Sequence, residues 1–156
     1  MALDNFYGAC LNEGFSLSVA VPFIDNLDWE EVDDVTMKPL APEGEMAFLK
    51  GWVASDPTKE NPLPFILILG RPKDRWMETE SCTIYFKGVS AEEFASAFIS
   101  ETSAVEVDSE TRLAEIYRSF TLPDNPDVLA SLHYSTRAGA DQIVVSAMHM
   151  NQPPFP

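Results

Sequence analysis

Residues 82–102 read Cys-Thr-Ile-Tyr-Phe-Lys-Gly-Val-Ser-Ala-Glu-Glu-Phe-Ala-Ser-Ala-Phe-Ile-Ser-Glu-Thr, and they contain the clearest change of periodicity in the chain. The first five residues alternate in polarity, which is typical of a half-buried strand. Ser90 and Glu93 then have the spacing of a capping box, directly before a run in which apolar residues recur at i and i+4. The stretch predicts a strand over 82–86 and a helix over 91–102.

Segments on both sides of this stretch also predict strands, because they alternate in polarity or are apolar and bounded by turn residues. Residues 65–69 are apolar on both faces, which is typical of a central, fully buried strand. Residues 112–122 fit either a helix or a strand, and the turn and strands that follow favour the strand. The further predicted strands are 15–21, 46–53, 128–136 and 142–150, the last two around a hairpin-like linker over 137–141.

Residues 25–34 contain six acidic residues in ten positions. Acidic residues suit a helix N-terminus, so we predict a short helix near 26–35. Together, these elements predict an α+β fold that has a mainly antiparallel sheet, one clear helix and this short helix, arranged as a single-domain sandwich. We expect one domain over 1–150 and an extended tail over 151–156.

The charge balance is the least ordinary feature of this 156-residue chain, which has a net charge of −15 and is 46% apolar. So much apolar surface makes disorder of the whole chain unexpected. A negative field repels nucleic-acid backbones and anionic lipid surfaces, so neither is an expected partner. It attracts basic proteins. The one basic segment is 61–90, which holds four bases against three acids.

Two cysteines, Cys10 and Cys82, are too few to indicate a disulfide framework. One bridge remains open, but two free thiols in a reducing compartment are favoured. The N-terminus shows no signal-peptide pattern, and no apolar run approaches the ~20 residues of a membrane span. These features predict a cytoplasmic protein.

Few residues suggest catalysis or cofactor binding. The two histidines, His133 and His149, fall at different heights of the predicted final hairpin, with His133 opposite roughly residue 144, so they are not expected to converge. A strand over 148–150 would put Met148 and Met150 on one face and His149 on the other, which disfavours a metal site. No glycine-rich phosphate loop is present, and we expect no cofactor and no catalytic residue.

Two segments are candidates for binding a protein partner. The acidic segment offers carboxylates and an aromatic side chain to a basic surface, and the basic segment places a tryptophan beside arginines, as binding hot spots often do. The alternative is that both are solvated surface. The candidate residues are Asp25, Asp28, Trp29, Glu30, Glu31, Asp33, Asp34, Arg71, Lys73, Arg75 and Trp76.

The order of predicted elements, from the strand over 15–21 through paired strands and the helix over 91–102 to a closing meander, resembles the Mog1/PsbP-like sandwich. That class includes small secretion-effector chaperones and actinobacterial lipoproteins. The resemblance covers most of the chain in pattern, and no motif carries it. It implies a non-catalytic binder, although fold alone does not determine function.

Three functions remain open at this point. The favoured one is a non-catalytic acidic domain of chaperone, immunity or inhibitor type that binds a basic protein partner. The second is a nucleic-acid mimic that inhibits a DNA- or RNA-binding protein, with its acids spaced like phosphates along one face. The third is a small enzyme with a carboxylate or cysteine site, which predicts a pocket with convergent polar groups.

Overall fold

A computed structural model describes residues 2–12, 14–42, 44–54, 64–73 and 78–151. The described strands form one antiparallel sheet of eight, in the order β1-β2-β3-β4-β8-β7-β6-β5. The strands are β1 Glu30–Glu31, β2 Met46–Ala54, β3 Phe65–Pro72, β4 Glu78–Lys87, β5 Val105–Arg112, β6 Glu115–Leu122, β7 Asn125–Ser135 and β8 Gln142–Asn151. The helices are α1 Ala2–Cys10, α2 Leu17–Asp25, α3 Asp34–Met37 and α4 Ala91–Thr102.

Two meanders make up the sheet. Strands β2 to β4 are consecutive neighbours, and so are β5 to β8. The chain leaves β4, passes through α4 and enters the second meander at the far edge, so the last strand returns to pair with β4 over ten residue pairs. This pairing makes the sheet continuous and leaves β1 and β5 as its edges.

Most predicted strands and the helix over 91–102 are confirmed. Within the segment 112–122, residues Glu115–Leu122 form strand β6. The predicted linker over 137–141 joins β7 to β8. The Ser90 hydroxyl caps α4 by accepting from the Glu93 backbone N–H at 3.3 Å. Three further helices accompany α4, and the described strands lie in one sheet, so the predicted sandwich is not confirmed. Residues 152–156 of the predicted tail lie outside the described residues.

The predicted strand over 15–21 is wrong, because Leu17–Asp25 forms helix α2. The alternation that suggested a strand is overridden by helical packing, in which Leu17 and Ile24 are buried. Glu80 stabilises the start of this helix from a distance, since its carboxylate accepts from the Leu17 N–H at 3.1 Å. No local pattern could reveal this cap, which comes from 63 residues away.

The predicted short helix near 26–35 is also wrong in its bounds. Asp28 has a positive φ of 56°, which interrupts any helix there, and Glu30 and Glu31 form β1. The helix begins only at Asp34, where the Asp33 carboxylate accepts from the Thr36 N–H at 2.8 Å. The acidic residues therefore lie in a turn, in an edge strand and at a helix cap, and not along one face of a helix.

Helices α1, α2 and α4 cover one face of the sheet, which we call the helix face. Their apolar residues pack with β3, β4, β6, β7 and β8 in one buried cluster. Aromatic rings link the layers, as Phe98 contacts Phe6 at 6.2 Å and Phe120 at 5.4 Å between ring centroids. On the opposite face, Met37 of α3 packs against Gly51, where an added Cβ would lie 2.7 Å from the Met37 sulfur.

The prediction of free thiols is wrong, because Cys10 and Cys82 form a disulfide. It joins the end of α1 to the middle of β4, across 72 residues of sequence. Both cysteines are fully buried on the helix face. The bond therefore holds the first helix on the strand through which the two halves of the sheet meet.

Reduction of this disulfide should destabilise the fold. A bridge that closes a loop of this length restricts the unfolded chain, and we expect its loss to lower the free energy of unfolding by about 2–4 kcal/mol. Urea unfolding with and without dithiothreitol measures the loss. The Cys10→Ala/Cys82→Ala variant is the control, since it should start less stable and then ignore the reductant. An unchanged midpoint on reduction of the wild type would contradict the bond.

His149 lies on the helix face of β8, beside the disulfide. Its Nε2 donates to the Cys10 carbonyl oxygen at 2.6 Å, and its ring stacks on Phe15 with 4.4 Å between centroids. Burial lowers the pKa of His149, because the charged ring would lose hydration, and the hydrogen bond to Cys10 and the charge of Glu80 oppose this only in part. Folding therefore favours the neutral imidazole at this position relative to the unfolded chain.

The lowered pKa of His149 predicts a loss of stability in mild acid. Below about pH 6.5 the unfolded chain binds a proton at this ring that the folded chain does not bind, so the free energy of unfolding falls as the pH falls. Urea unfolding at about pH 7.5 and about pH 5.5 measures the fall. His149→Gln keeps a donor but does not titrate, so its fall should be smaller. An equal fall in both proteins contradicts the assignment.

Candidate functional site

The acidic candidates lie around β1 and α3, at one edge of the sheet, and two of them have structural partners. Asp25 accepts from Lys50 Nζ at 2.9 and 3.1 Å and from Trp52 Nε1 at 3.3 Å. Asp33 caps α3. Trp29 is half-buried and meets Phe65 edge-on, with 6.2 Å between ring centroids. All six acidic candidates are exposed, including Asp28, Glu30, Glu31 and Asp34.

The basic candidates are also partly engaged within the fold. Arg71 donates to the buried Glu80 carboxylate at 3.3 Å, and Lys73 pairs with Glu45 at 3.6 Å. Arg75 and Trp76 lie outside the described residues, so their predicted role stays a prediction. Leu67 is the nearest position of β3 that is level with β1, and Arg71 lies four residues further along the strand, about 13 Å away. The structure therefore does not bring the described acidic and basic candidates into one site.

A site that the sequence patterns did not indicate lies at the other edge of the sheet. All eight residues of β5 are exposed, and the outer side of this strand has no neighbour among the described strands. The strand reads Val-Glu-Val-Asp-Ser-Glu-Thr-Arg. Alternate valines were its only strand signal, and a bulge between Glu106 and Asp108 breaks the alternation. An edge of this length offers unpaired backbone groups to another strand.

The two faces of β5 differ in what their acids contact. On the helix face, Glu106 forms two bonds of 3.0 Å with Arg118, which also donates to the Tyr134 hydroxyl. This pairing lowers the pKa of Glu106 and raises that of Arg118. On the opposite face, Glu110 binds Arg112 at 2.7 and 2.9 Å. Asp108 is exposed between them.

The turn after β5 is strained. Leu113 and Ala114 have φ values of 48° and 68°, a combination that a two-residue hairpin turn requires and that glycine or asparagine adopts more readily. The Leu113 side chain is 99% exposed. Thr136 fixes the turn from β7, since its N–H and hydroxyl both donate to the Ala114 carbonyl, at 2.8 and 3.1 Å. The sequence did not predict this hairpin, because its turn lacks the Asn-Gly pair that commonly marks one.

A cavity of about 380 Å³ opens beside this turn, where β6, β7, β8 and β4 meet the loop after α3. Its lining combines aromatic, titratable and apolar side chains. Within it, His133 stacks on Tyr117 with 4.1 Å between centroids, and its Nε2 lies 3.2 Å from Glu115 Oε2. That contact lacks hydrogen-bond geometry, so this buried nitrogen has no hydrogen-bond partner among the described residues. His133 of β7 pairs with Val144 of β8, at the position predicted from the sequence.

The cavity lining offers binding groups rather than a complete catalytic set. A carboxylate beside a histidine could orient a general base, but nucleophilic catalysis also needs an activated hydroxyl or thiol. Ser135 accepts instead from the Arg137 backbone N–H at 3.1 Å, and it forms no hydrogen bond with His133 in the described structure. Both thiols are in the disulfide.

Two further features are absent from the described residues. No group of three or more His, Cys, Asp or Glu side chains there is arranged to hold a metal ion. No helix in the same part of the chain is long and apolar enough to cross a membrane.

Comparison with known proteins found no match to a family model, to a curated protein or to a solved structure.

Relief of the strain at the turn should stabilise the protein. Non-glycine residues at positive φ cost about 1–2 kcal/mol each, and a glycine adds entropy to the unfolded chain that offsets part of the relief. The Leu113→Asn/Ala114→Gly variant should therefore raise the free energy of unfolding by about 1–2 kcal/mol. Gly139 has a φ of 74° in the next hairpin and open space around it, so Gly139→Ala should lower that energy by about 1 kcal/mol. Urea unfolding measures both. A destabilised double variant contradicts the strain.

Proposed function

We propose that this protein binds a basic protein partner, in the manner of a chaperone, immunity protein or inhibitor, and that β5 is the strand to which the partner adds. The single observation behind this proposal is an eight-residue edge strand exposed at every position in a chain of net charge −15. An extended segment of the partner would pair with the outer backbone groups of β5, as in other cases of strand addition.

The charges on β5 favour a basic strand and disfavour a second copy of the same chain. The strand carries Glu106, Asp108 and Glu110 against Arg112, and two such edges side by side would bring acids together. Charged edges are a common defence against self-association, and the same charges select a partner of opposite sign. The negative field of the whole molecule would also speed encounter with a basic protein.

The opposite edge is less suited to strand addition. Strand β1 has only two residues, and short edge strands offer few backbone groups. The exposed acids near it, including the candidates Glu30 and Glu31, would then act in steering a basic partner rather than in pairing with it. Exposed acids also lie on α4 and in the turn at Asp124. Acids on both edges and on a helix favour a protein-binding edge over a nucleic-acid mimic.

The disulfide changes the inferred location. The predicted cytoplasmic location rested partly on free thiols, and the Cys10–Cys82 bond removes that support. Disulfides persist in oxidising compartments and are rare in the cytosol of most organisms. We therefore infer that the protein and its basic partner meet in an oxidising compartment.

The register of the hairpin identifies the backbone groups that would receive the partner. Arg112 and Glu115 flank the two-residue turn and form a hydrogen-bonded pair in such a hairpin. Because these pairs alternate along the strands, the N–H and C=O groups of Thr111 and Ser109 point away from β6. A proline at Ser109 would remove one outward donor without breaking the bonds between β5 and β6.

Binding of a basic strand should therefore depend on the Ser109 N–H. The probe is a blocked peptide of alternating valine and arginine, measured by fluorescence anisotropy at low and high salt. We expect Ser109→Pro to weaken binding about tenfold or more, because it removes a backbone hydrogen bond and obstructs the approach of a strand. Ser109→Ala is the matched control, since it also removes the hydroxyl but keeps the N–H.

A charge reversal separates the two edges of the sheet. Asp108→Lys on β5 should weaken the peptide more than Glu30→Lys on β1, and high salt should weaken binding to the wild type. Equal affinity for Ser109→Pro and Ser109→Ala, or no peptide binding at any salt concentration, would contradict strand addition at β5. In that case the acids of β5 serve only to keep the edge from self-association.

A further inference from the structure

The cavity beside the β5–β6 turn has the composition of a site for an organic cation. Its lining includes the carboxylates of Glu115 and Asp141 and the rings of Tyr85 and His133, together with Pro39 and Leu40. Its volume of about 380 Å³ is within the range of small-ligand clefts. Aromatic faces and carboxylates around a partly enclosed space are the groups that bind guanidinium and alkylammonium ions.

The chain itself provides an example of this recognition on the same face of the sheet. The Arg112 guanidinium lies over the Tyr117 ring, 5.2 Å from its centroid, while the Glu110 carboxylate binds it at 2.7 and 2.9 Å. Tyr117 is also the ring on which His133 stacks. One guanidinium is therefore already held by a ring and a carboxylate at the border of the cavity.

The walls of the cavity are held in place before any ligand binds. The Asp141 carbonyl accepts from the N–H groups of Gly88 and Val89, at 2.8 and 3.1 Å, so the turn before β8 is fixed to the chain that leaves β4. Burial raises the pKa of Tyr85, and the negative charge of Asp141 raises it further. A preformed site loses less entropy on binding than a disordered one.

The balance of charge in the lining selects a cation over an anion. Glu115 and Asp141 face one arginine, Arg137, which is exposed on the turn. The net charge of −15 opposes the entry of an anion and raises the local concentration of cations. The Glu115 carboxylate lies 3.2 Å from His133 Nε2, a contact that lacks hydrogen-bond geometry.

We propose that this cavity binds an alkylguanidinium or alkylammonium group between Glu115, Asp141 and the ring of Tyr85. The group would be a side chain of the basic partner, in which case the inference rests on the proposed function, or a free small cation. Glu115 of β6 is the lining residue nearest the β5 edge of the sheet. A strand added to β5 would therefore lie about two strand spacings, or about 10 Å, from the cavity. An arginine or lysine one or two residues beyond a strand paired with β5 can span that distance.

Binding of two probes distinguishes these sources. The probes are free ethylguanidinium and the peptide of alternating valine and arginine, and the readout is the change in amide NMR signals of His133, Val144 and Gly139. Glu115→Gln and Asp141→Asn should each weaken the bound probe about three- to tenfold, because each removes one charged partner. Arg137→Gln should tighten binding, since it removes the opposing charge. Glu92→Gln on α4 is the matched control and should change nothing.

Each outcome counts for or against the cavity. A response to ethylguanidinium that Glu115→Gln weakens supports a site for free cations, and it should survive in Ser109→Pro. A response to the peptide alone, weakened by Glu115→Gln, supports a partner side chain as the occupant. If Ser109→Pro abolishes peptide binding, Glu115→Gln and Asp141→Asn leave it unchanged, and ethylguanidinium gives no response that Glu115→Gln weakens, strand addition stands and the cavity assignment is wrong. If neither probe moves the cavity signals, the assignment is also wrong.

Discussion

The pairing of β4 with β8 is the interaction on which the rest of the structure depends. These strands are far apart in sequence, and their ten residue pairs join the two meanders into one sheet. The helix face of the joined strands carries Cys82, Ile84 and Val145, which are fully buried and complete the main apolar cluster. The same pairing places Tyr85 of β4 beside Val144 of β8, so it also forms the floor of the cavity.

This order of strands explains why β5 is exposed. The chain passes through α4 and enters the second meander at its outer strand, so the first strand of this meander in sequence lies at the edge of the sheet. The edge is long because the hairpin that it forms with β6 is long, and it is charged because an apolar edge would associate with itself. The engaged acids, Glu106 and Glu110, hold arginines over aromatic rings, and the exposed Asp108 is available to a partner.

Elements defined by local periodicity could be predicted from the sequence, and those defined by distant contacts could not. Neighbouring residues alone predict the start of α4, through the capping box at Ser90, and β8, through its alternation. Helix α2 does not, because its start is capped by Glu80 from β4 and its middle contains Pro22. The disulfide was missed for the same reason, since only the folded sheet brings Cys82 within reach of α1.

The binding residues predicted from the sequence and the edge strand proposed from the structure lie in different places. The net charge of −15 predicted an acidic binding surface at 25–34, but two of the acids there, Asp25 and Asp33, bind Lys50 and cap α3. The sequence did not predict the exposed edge strand, because the bulge near Val107 interrupts its alternation and the turn that follows has neither glycine nor asparagine. Which strand ends a sheet depends on topology, which periodicity does not contain.

Amide hydrogen exchange on β5 tests strand addition most directly. The amides of Ser109 and Thr111 point outward from the sheet, so they should exchange rapidly in the free protein and slow markedly when the basic peptide is bound. The amides of Glu110 and Arg112, already bonded to β6, should change less. Unchanged exchange at Ser109 and Thr111 under conditions in which the peptide is bound would contradict strand addition at this edge.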